Sequence, residues 1–211
     1  MTIAVVDYGA GNLRSVEKAL ARAGGQRISV TSDPDEIAKA DRVVLPGDGA
    51  FPDCRMALGH VSGLGDALDE AVRRRGQPFL GICIGMQMLA TEGEEYEPTA
   101  GLGWIPGKVV RIEPGDARLK VPHMGWNTLR THRPHHLLDD LHLGPDGLHA
   151  YFLHAFHLVP DDPDDVAAAA FYGGEVTAVV ARGNVAGVQF HPEKSQKLGL
   201  ALLANFVGWR P

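Results

Sequence analysis

The sequence predicts an α/β protein built on a mixed, mostly parallel sheet with helices on both faces and antiparallel hairpins in the C-terminal half. Three observations predict it. Short, wholly apolar runs alternate with helical periodicity up to Gln87, which is the β-α-β-α pattern of a parallel sheet covered on both sides. Beyond Lys108 the apolar runs crowd together with short turns between them, as antiparallel strands do. A length of 211 residues, with 45% hydrophobic and 22% charged residues, suits one sizeable core and one domain over residues 1–211.

The elements follow in order. Ile3 to Val6 is a fully apolar strand of the kind found centrally in parallel sheets. Asp7-Tyr8-Gly9-Ala10-Gly11-Asn12 turns into a helix marked by Leu13, Val16, Leu20 and Ala23, with Asn12 as the N-cap candidate and Gly24-Gly25 as the stop. Gly9-Ala10-Gly11 is half of a dinucleotide fingerprint, but Arg14 stands in place of the third glycine, so a tight β-to-α turn is the better reading. Arg27 to Thr31 forms a second strand, and Asp33-Pro34 starts a helix that runs to Ala40. Arg42 to Leu45 is a third strand, ending in Pro46-Gly47-Asp48-Gly49-Ala50-Phe51. Glycines at a strand's C-terminal end let backbone N–H groups face the crevice where open α/β sheets bind ligands.

A helix over Leu64 to Arg75 leads to the strand before Cys83. Residues 93–103 read as a loop, and Lys108 to Ile112 alternates like a strand. Arg130 to His142 has little periodicity. His149 to Val159, Val166 to Phe171, Thr177 to Ala181 and Val185 to Phe190 read as strands. A last helix runs from Ser195 to Val207 with Leu198, Leu202 and Phe206 on one face.

Composition excludes several classes. A net charge of −6 gives no reason to expect nucleic acid or an anionic membrane surface as partner. Two cysteines make no disulfide framework, which points to a reducing, cytoplasmic setting. No apolar run approaches the length of a membrane span. The N-terminus reads as a strand, without a basic region or long apolar stretch.

The most informative stretch is Phe79-Leu80-Gly81-Ile82-Cys83-Ile84-Gly85-Met86-Gln87. An apolar strand reaches a cysteine flanked by glycines, and a helix is expected from about Met86. A sharp strand-to-helix turn lifts one side chain clear of the backbone, as the G-x-S-x-G nucleophile elbow does. Gln87 follows four residues later, about one helical turn on, so its amide can face the same pocket. Taken alone, the pattern fits a buried structural cysteine equally well. The second informative stretch is Gln189-Phe190-His191-Pro192-Glu193. His191, like Cys83, follows an apolar strand. A cysteine nucleophile needs a base, and the base an orienting group. A lone strand-end His and Glu are more often solvated, but both patterns together are hard to obtain by chance.

These two stretches resemble the signature of class I (triad) glutamine amidotransferases. Asp7–Leu13, Leu45–Phe51, Pro122-His123-Met124-Gly125-Trp126-Asn127 and Tyr151-Phe152-Leu153-His154-Ala155-Phe156-His157 extend the resemblance to one branch, the glutaminase subunits of imidazole glycerol phosphate synthases. The resemblance implies a flavodoxin-like class I glutamine amidotransferase fold. It further implies that Cys83 attacks the side-chain amide of L-glutamine, that His191 protonates the leaving ammonia and that Glu193 orients His191. Backbone N–H groups at Asp48, Gly49 and Ile84 would form the oxyanion hole. Gln87 and the backbone of His154, Ala155 and Phe156 would hold the substrate. The ammonia would pass to a separate (β/α)₈-barrel cyclase of histidine biosynthesis, with Asn12, Trp126, Tyr151 and Lys194 at or near that interface. No cofactor or metal is implied.

Three positions depart from the family's pattern. Asp48 replaces a small aliphatic residue, and its carboxylate either disfavours a nearby oxyanion or points away and steadies the loop. Ala155 and Phe156 replace serine and tyrosine, at little cost if those positions act through the backbone. Rival readings are a metal hydrolase, another cysteine hydrolase such as a peptidase or gamma-glutamyl hydrolase, a glutaminase of another system, and a regulatory module with a vestigial site. His132, His135, His136, His142 and His149 match no metal-ligand spacing. The Pro122–Asn127 cluster suits a docking surface better than a partner-free hydrolase.

Overall fold

The structure is a computed structural model that describes residues 1–211. Strands β1 (Thr2–Val6), β2 (Arg27–Thr31), β3 (Arg42–Gly47) and β4 (Phe79–Cys83) alternate with α1 (Leu13–Arg22), α2 (Pro34–Lys39), α3 (Phe51–His60) and α4 (Leu64–Leu68). Helix α4 continues as a π-helical turn over Asp69–Arg74, and α5 (Ile84–Gln87) follows β4 directly. The chain then forms β5 (Glu92–Gly93), β6 (Thr99–Ala100), β7 (Gly107–Arg111), β8 (His123–Thr128) and β9 (Arg130–Thr131). Next come β10 (His149–His154), β11 (Phe156–Pro160), β12 (Val166–Phe171), β13 (Glu175–Arg182) and β14 (Val185–Val188). Helix α6 (Gln196–Gly208) completes the chain.

The main sheet has eight strands in the order β2-β1-β3-β4-β14-β13-β12-β9. Pairings from β2 through to β14 are parallel, and β14, β13, β12 and β9 pair antiparallel. The central strands are buried on both faces, which is why Ile3–Val6, Val43–Leu45 and Phe79–Ile82 carry no alternation. Helices α1 and α6 pack together, while α2, α3 and α4 form a second group. Beside this sheet lie a four-stranded sheet, β11-β7-β5-β6, and the antiparallel ribbon β10-β8. No helix is long and apolar enough to cross a membrane.

The structure corrects the sequence reading in four places. Helix α3 lies in a stretch to which the pattern assigns no element, because Pro52 and a single short apolar face mask it. It opens with proline in its first turn, where the missing N–H costs nothing. The run His149–Val159 is two strands in two different sheets, divided at Ala155. Residues 93–103 include the short β5–β6 ladder. Asn12 occupies the N-cap position of α1, but its side chain makes no cap hydrogen bond. Asp33, by contrast, caps α2 by accepting from Asp35 N at 2.9 Å.

The C-terminus is held by Arg42, a buried residue at the start of β3. Its Nε donates to the Phe206 carbonyl at 3.1 Å, and its guanidinium also donates to that of Trp209. Charged donors make the stronger hydrogen bonds, and their loss leaves carbonyls unpaired. Arg42→Ala is therefore expected to lower unfolding stability by about 3 kcal/mol, measured by urea denaturation.

Candidate active site

Three neighbouring strands bring the candidate residues to one edge. Strands β3, β4 and β14 are adjacent and parallel, with Gly47 opposite Cys83 and Val188 opposite Ile82. Asp48 and Gly49 follow β3, Cys83 ends β4, and His191 follows β14. All lie at C-terminal strand ends, where open α/β sheets form their binding crevice.

Cys83 sits on a sharp turn at φ 56° and ψ −111°. A non-glycine residue in that region stores about 1–3 kcal/mol of strain and persists only where its surroundings enforce it. The flanking glycines are required by close approach: a Cβ on Gly85 would lie 1.8 Å from the Leu45 carbonyl oxygen, and one on Gly81 would lie 2.4 Å from that of Gly85. The expected helix from Met86 is a single turn, Ile84–Gln87, with Cys83 at its N-cap position.

His191 and Glu193 complete the group. His191 Nδ1 donates to Glu193 Oε1 at 3.0 Å, and the Glu193 side chain is 1% exposed. The ring and Cys83 line the same cleft. Burial opposes charge on His191, but hydrogen bonds and attraction from Cys83 and Glu193 outweigh it and raise the imidazole from 6.5 to about 10. Its proton is thus held across the neutral range.

A cleft of about 300 Å³ opens onto these groups. Asn12, Asp48, Gly49, Cys83, Ile84 and Gln87 line one part of it. Leu153, His154, Ala155, Phe156, His191, Lys194 and Glu95 line the rest. Asp48 takes the second of its two sequence-level roles: Oδ1 accepts from Gly11 N at 2.8 Å, tying the loop to the β1–α1 turn, and its carbonyl accepts from Cys54 Sγ at 3.1 Å. The Phe156 carbonyl accepts from Gln87 Nε2 at 2.9 Å and from His154 Nδ1 at 2.8 Å. The Ala155 carbonyl accepts from Ile112 N. Gln87 Nε2 also reaches Gln189 Oε1 at 3.2 Å, leaving Gln87 Oε1 buried without a protein partner. The ring of His154 spends both nitrogens inside the protein, so a ligand meets its backbone rather than its imidazole.

The remaining candidates form the rim. Trp126 and Tyr151 meet edge to face with centroids 5.7 Å apart. Lys194 lies over Tyr151, 5.8 Å from its centroid. Asn12 and Lys194 also reach into the cleft itself.

Two residues near the triad have no role assigned by the sequence. Glu95 lies in the featureless stretch after Gln87, and its Oε2 accepts from Phe51 N at 2.7 Å. With Asp48 committed to Gly11, Glu95 is the carboxylate left to face a cationic group. Gln189 is fully buried with Nε2 3.8 Å from Cys83 Sγ. Its position two residues before His191 is the only signal it offers.

Comparison with known proteins agrees with this geometry. Residues 4–208 match the model of the glutamine amidotransferase class-I family. The imidazole glycerol phosphate synthase subunit HisH of Rhodopseudomonas palustris is 55% identical over 216 positions spanning all of both chains. The chain belongs to the HisH branch of the class I glutamine amidotransferases. HisH of Caulobacter vibrioides is likewise 55% identical, over all of this chain and 99% of its own. The HisH fold extends to remoter structures: PurLQS from Thermotoga maritima aligns with a TM-score of 0.74 at 20% identity, covering 98% of this chain and 97% of the other. At such identity the agreement concerns fold alone.

Proposed function

We propose that residues 1–211 act as one cytoplasmic glutaminase domain that hydrolyses L-glutamine to glutamate and ammonia. The ammonia goes to the (β/α)₈-barrel cyclase subunit of imidazole glycerol phosphate synthase, in histidine biosynthesis. The observation that carries this reading is Cys83 on its strained turn, in one cleft with a His191 that Glu193 orients at 3.0 Å. Full-length identity to HisH subunits supports the partner.

The chemistry follows from the positions. Cys83 Sγ, its proton already held by His191, attacks the side-chain amide carbon of glutamine. Backbone N–H groups at Asp48, Gly49 and Ile84 receive the oxyanion, where loss of one donor costs about 10²–10³ in rate. His191 gives its proton to the departing nitrogen, ammonia leaves, and a glutamyl thioester remains on Cys83. Water, deprotonated by the now neutral imidazole, attacks the thioester and frees glutamate. Gln87 Oε1 and Glu95 offer acceptors for the amino groups of glutamine, and no cofactor takes part.

The test is glutamate release from glutamine by the purified chain, alone and with a cyclase carrying its nucleotide ligand. Strong stimulation by the liganded cyclase is expected. High activity indifferent to the cyclase would assign the chain to another glutamine-using system. Exposed Met124 and Trp126 on β8 share a face with Leu153 and Tyr151 on β10, and form the docking patch with Lys194 and Asn12. Trp126→Ala is expected to weaken cyclase binding about 30-fold, the loss typical of a central aromatic anchor, as read by titration calorimetry.

A further inference from the structure

The inner face of the β8–β10 ribbon carries a buried histidine pair that stands outside the triad. His123 lies opposite His154 in the ladder, and the two are 3% and 6% exposed. Their hydrogen-bond directions are forced by chemistry. The Phe156 carbonyl can only accept, so His154 Nδ1, 2.8 Å away, carries the hydrogen. His154 Nε2 is then a lone pair, and His123 Nδ1 at 3.2 Å must donate to it. His123 Nε2 is in turn an acceptor, supplied by Asn127 Nδ2 at 3.3 Å. The other hydrogen of that Asn127 nitrogen goes to the Phe171 carbonyl at 3.0 Å, and Asn127 Oδ1 accepts from Thr128 N at 2.9 Å.

The chain of donors therefore runs one way, from Asn127 through His123 and His154 to the Phe156 carbonyl. Gln87 shares that carbonyl, Gln87 bonds Gln189, and Gln189 reaches Cys83. Stacking clamps His123 from both sides, against Phe152 at 4.6 Å and Tyr172 at 4.1 Å between centroids. Burial depresses both imidazoles, to about 4 for His123 and about 3 for His154, so each stays neutral and a single tautomer satisfies the chain.

We propose that His123 is a positioning residue of the glutamine site, locking His154 in its Nδ1–H tautomer so that the Phe156 carbonyl and Gln87 stand ready for substrate. This rests on the glutaminase reading above. Without the His123 donor, His154 Nε2 is left buried without a partner and the Phe156 carbonyl alone holds the ring, so the ring can turn or exchange its tautomer.

The test combines spectroscopy and kinetics. In long-range ¹⁵N–¹H spectra of the histidine-labelled chain, both rings are expected as neutral Nδ1–H tautomers at pH 7. An Nε2–H tautomer or a charged ring at either residue overturns the proposal, whether or not any variant folds. His123→Phe keeps the stack but cannot donate. Assayed with the liganded cyclase, it is expected to raise the KM for glutamine about tenfold while kcat stays within about threefold. In His123→Asn the amide nitrogen stands near the place of Nδ1 and is expected to restore most of the loss. A folded His123→Phe with unchanged KM overturns the proposal, as does an equal rise in KM and fall in melting temperature in both variants. A wild-type chain that hydrolyses no glutamine would remove the functional reading, while the spectra still decide the tautomers.

Discussion

Cys83→Ala is expected to cut glutamate release by a factor on the order of 10⁶, to the rate left when a nucleophile is removed from a triad. Glutamine binding and melting temperature should change little. The thiol is small and 3% exposed, and alanine occupies the same turn. The other cysteine is no substitute. Cys54 donates to the Asp48 carbonyl, and burial pushes its thiol up to about 11, so it is a poor nucleophile at neutral pH. Steady-state assays with the liganded cyclase check this. Residual turnover within tenfold of wild type would place the nucleophile elsewhere.

Glu193→Gln is expected to lower kcat between about 10² and 10⁴ fold and to move the pH profile. His191 holds its proton to about 10 because hydrogen bonds and charge attraction from Cys83 and Glu193 overcome its burial. Removing the Glu193 charge takes away part of that support and leaves the burial penalty, so the imidazole pKa falls. The alkaline limb of kcat/KM should shift to lower pH, and an unmoved limb would count against Glu193 as the orienting group. The same raised pKa has a stability consequence. Its contribution is complete below the ordinary 6.5 and fades as pH rises through about 10. Wild type should therefore lose stability over that interval relative to His191→Asn.

Legibility in the sequence varied with how local the cause is. Strands β2 and β12 have the bounds that pattern predicts, and α2 follows from its Asp33-Pro34 start, because apolar runs and caps are properties of a few neighbouring residues. The break at Ala155 is not local. Alternation passes straight through it, and only the competing partners, β8 on one side and β7 on the other, divide the run. The two-residue strands β5 and β6 are too short to show any period. In the site, Cys83, His191 and Glu193 stand out because their residue types carry reactivity within recognisable turns. Glu95, Gln189 and His123 do not, since their roles come from what the fold sets beside them. Asp48 lay between these cases: its position was visible, but its direction was decided by Gly11, 37 residues away.

The ribbon of β8 and β10 places unlike tasks on alternate residues. Met124 and Trp126 face outward, with Leu153 and Tyr151 opposite, while His123 and Asn127 face inward with His154. Because side chains alternate strictly along a strand, the two faces share one reading phase. Inserting or deleting a single residue between His123 and Trp126 would put the two on the same face, so that with His123 held inward the indole turns inward as well. The segment can vary by substitution at either face alone, but a length change of one between these residues costs one face its side chain.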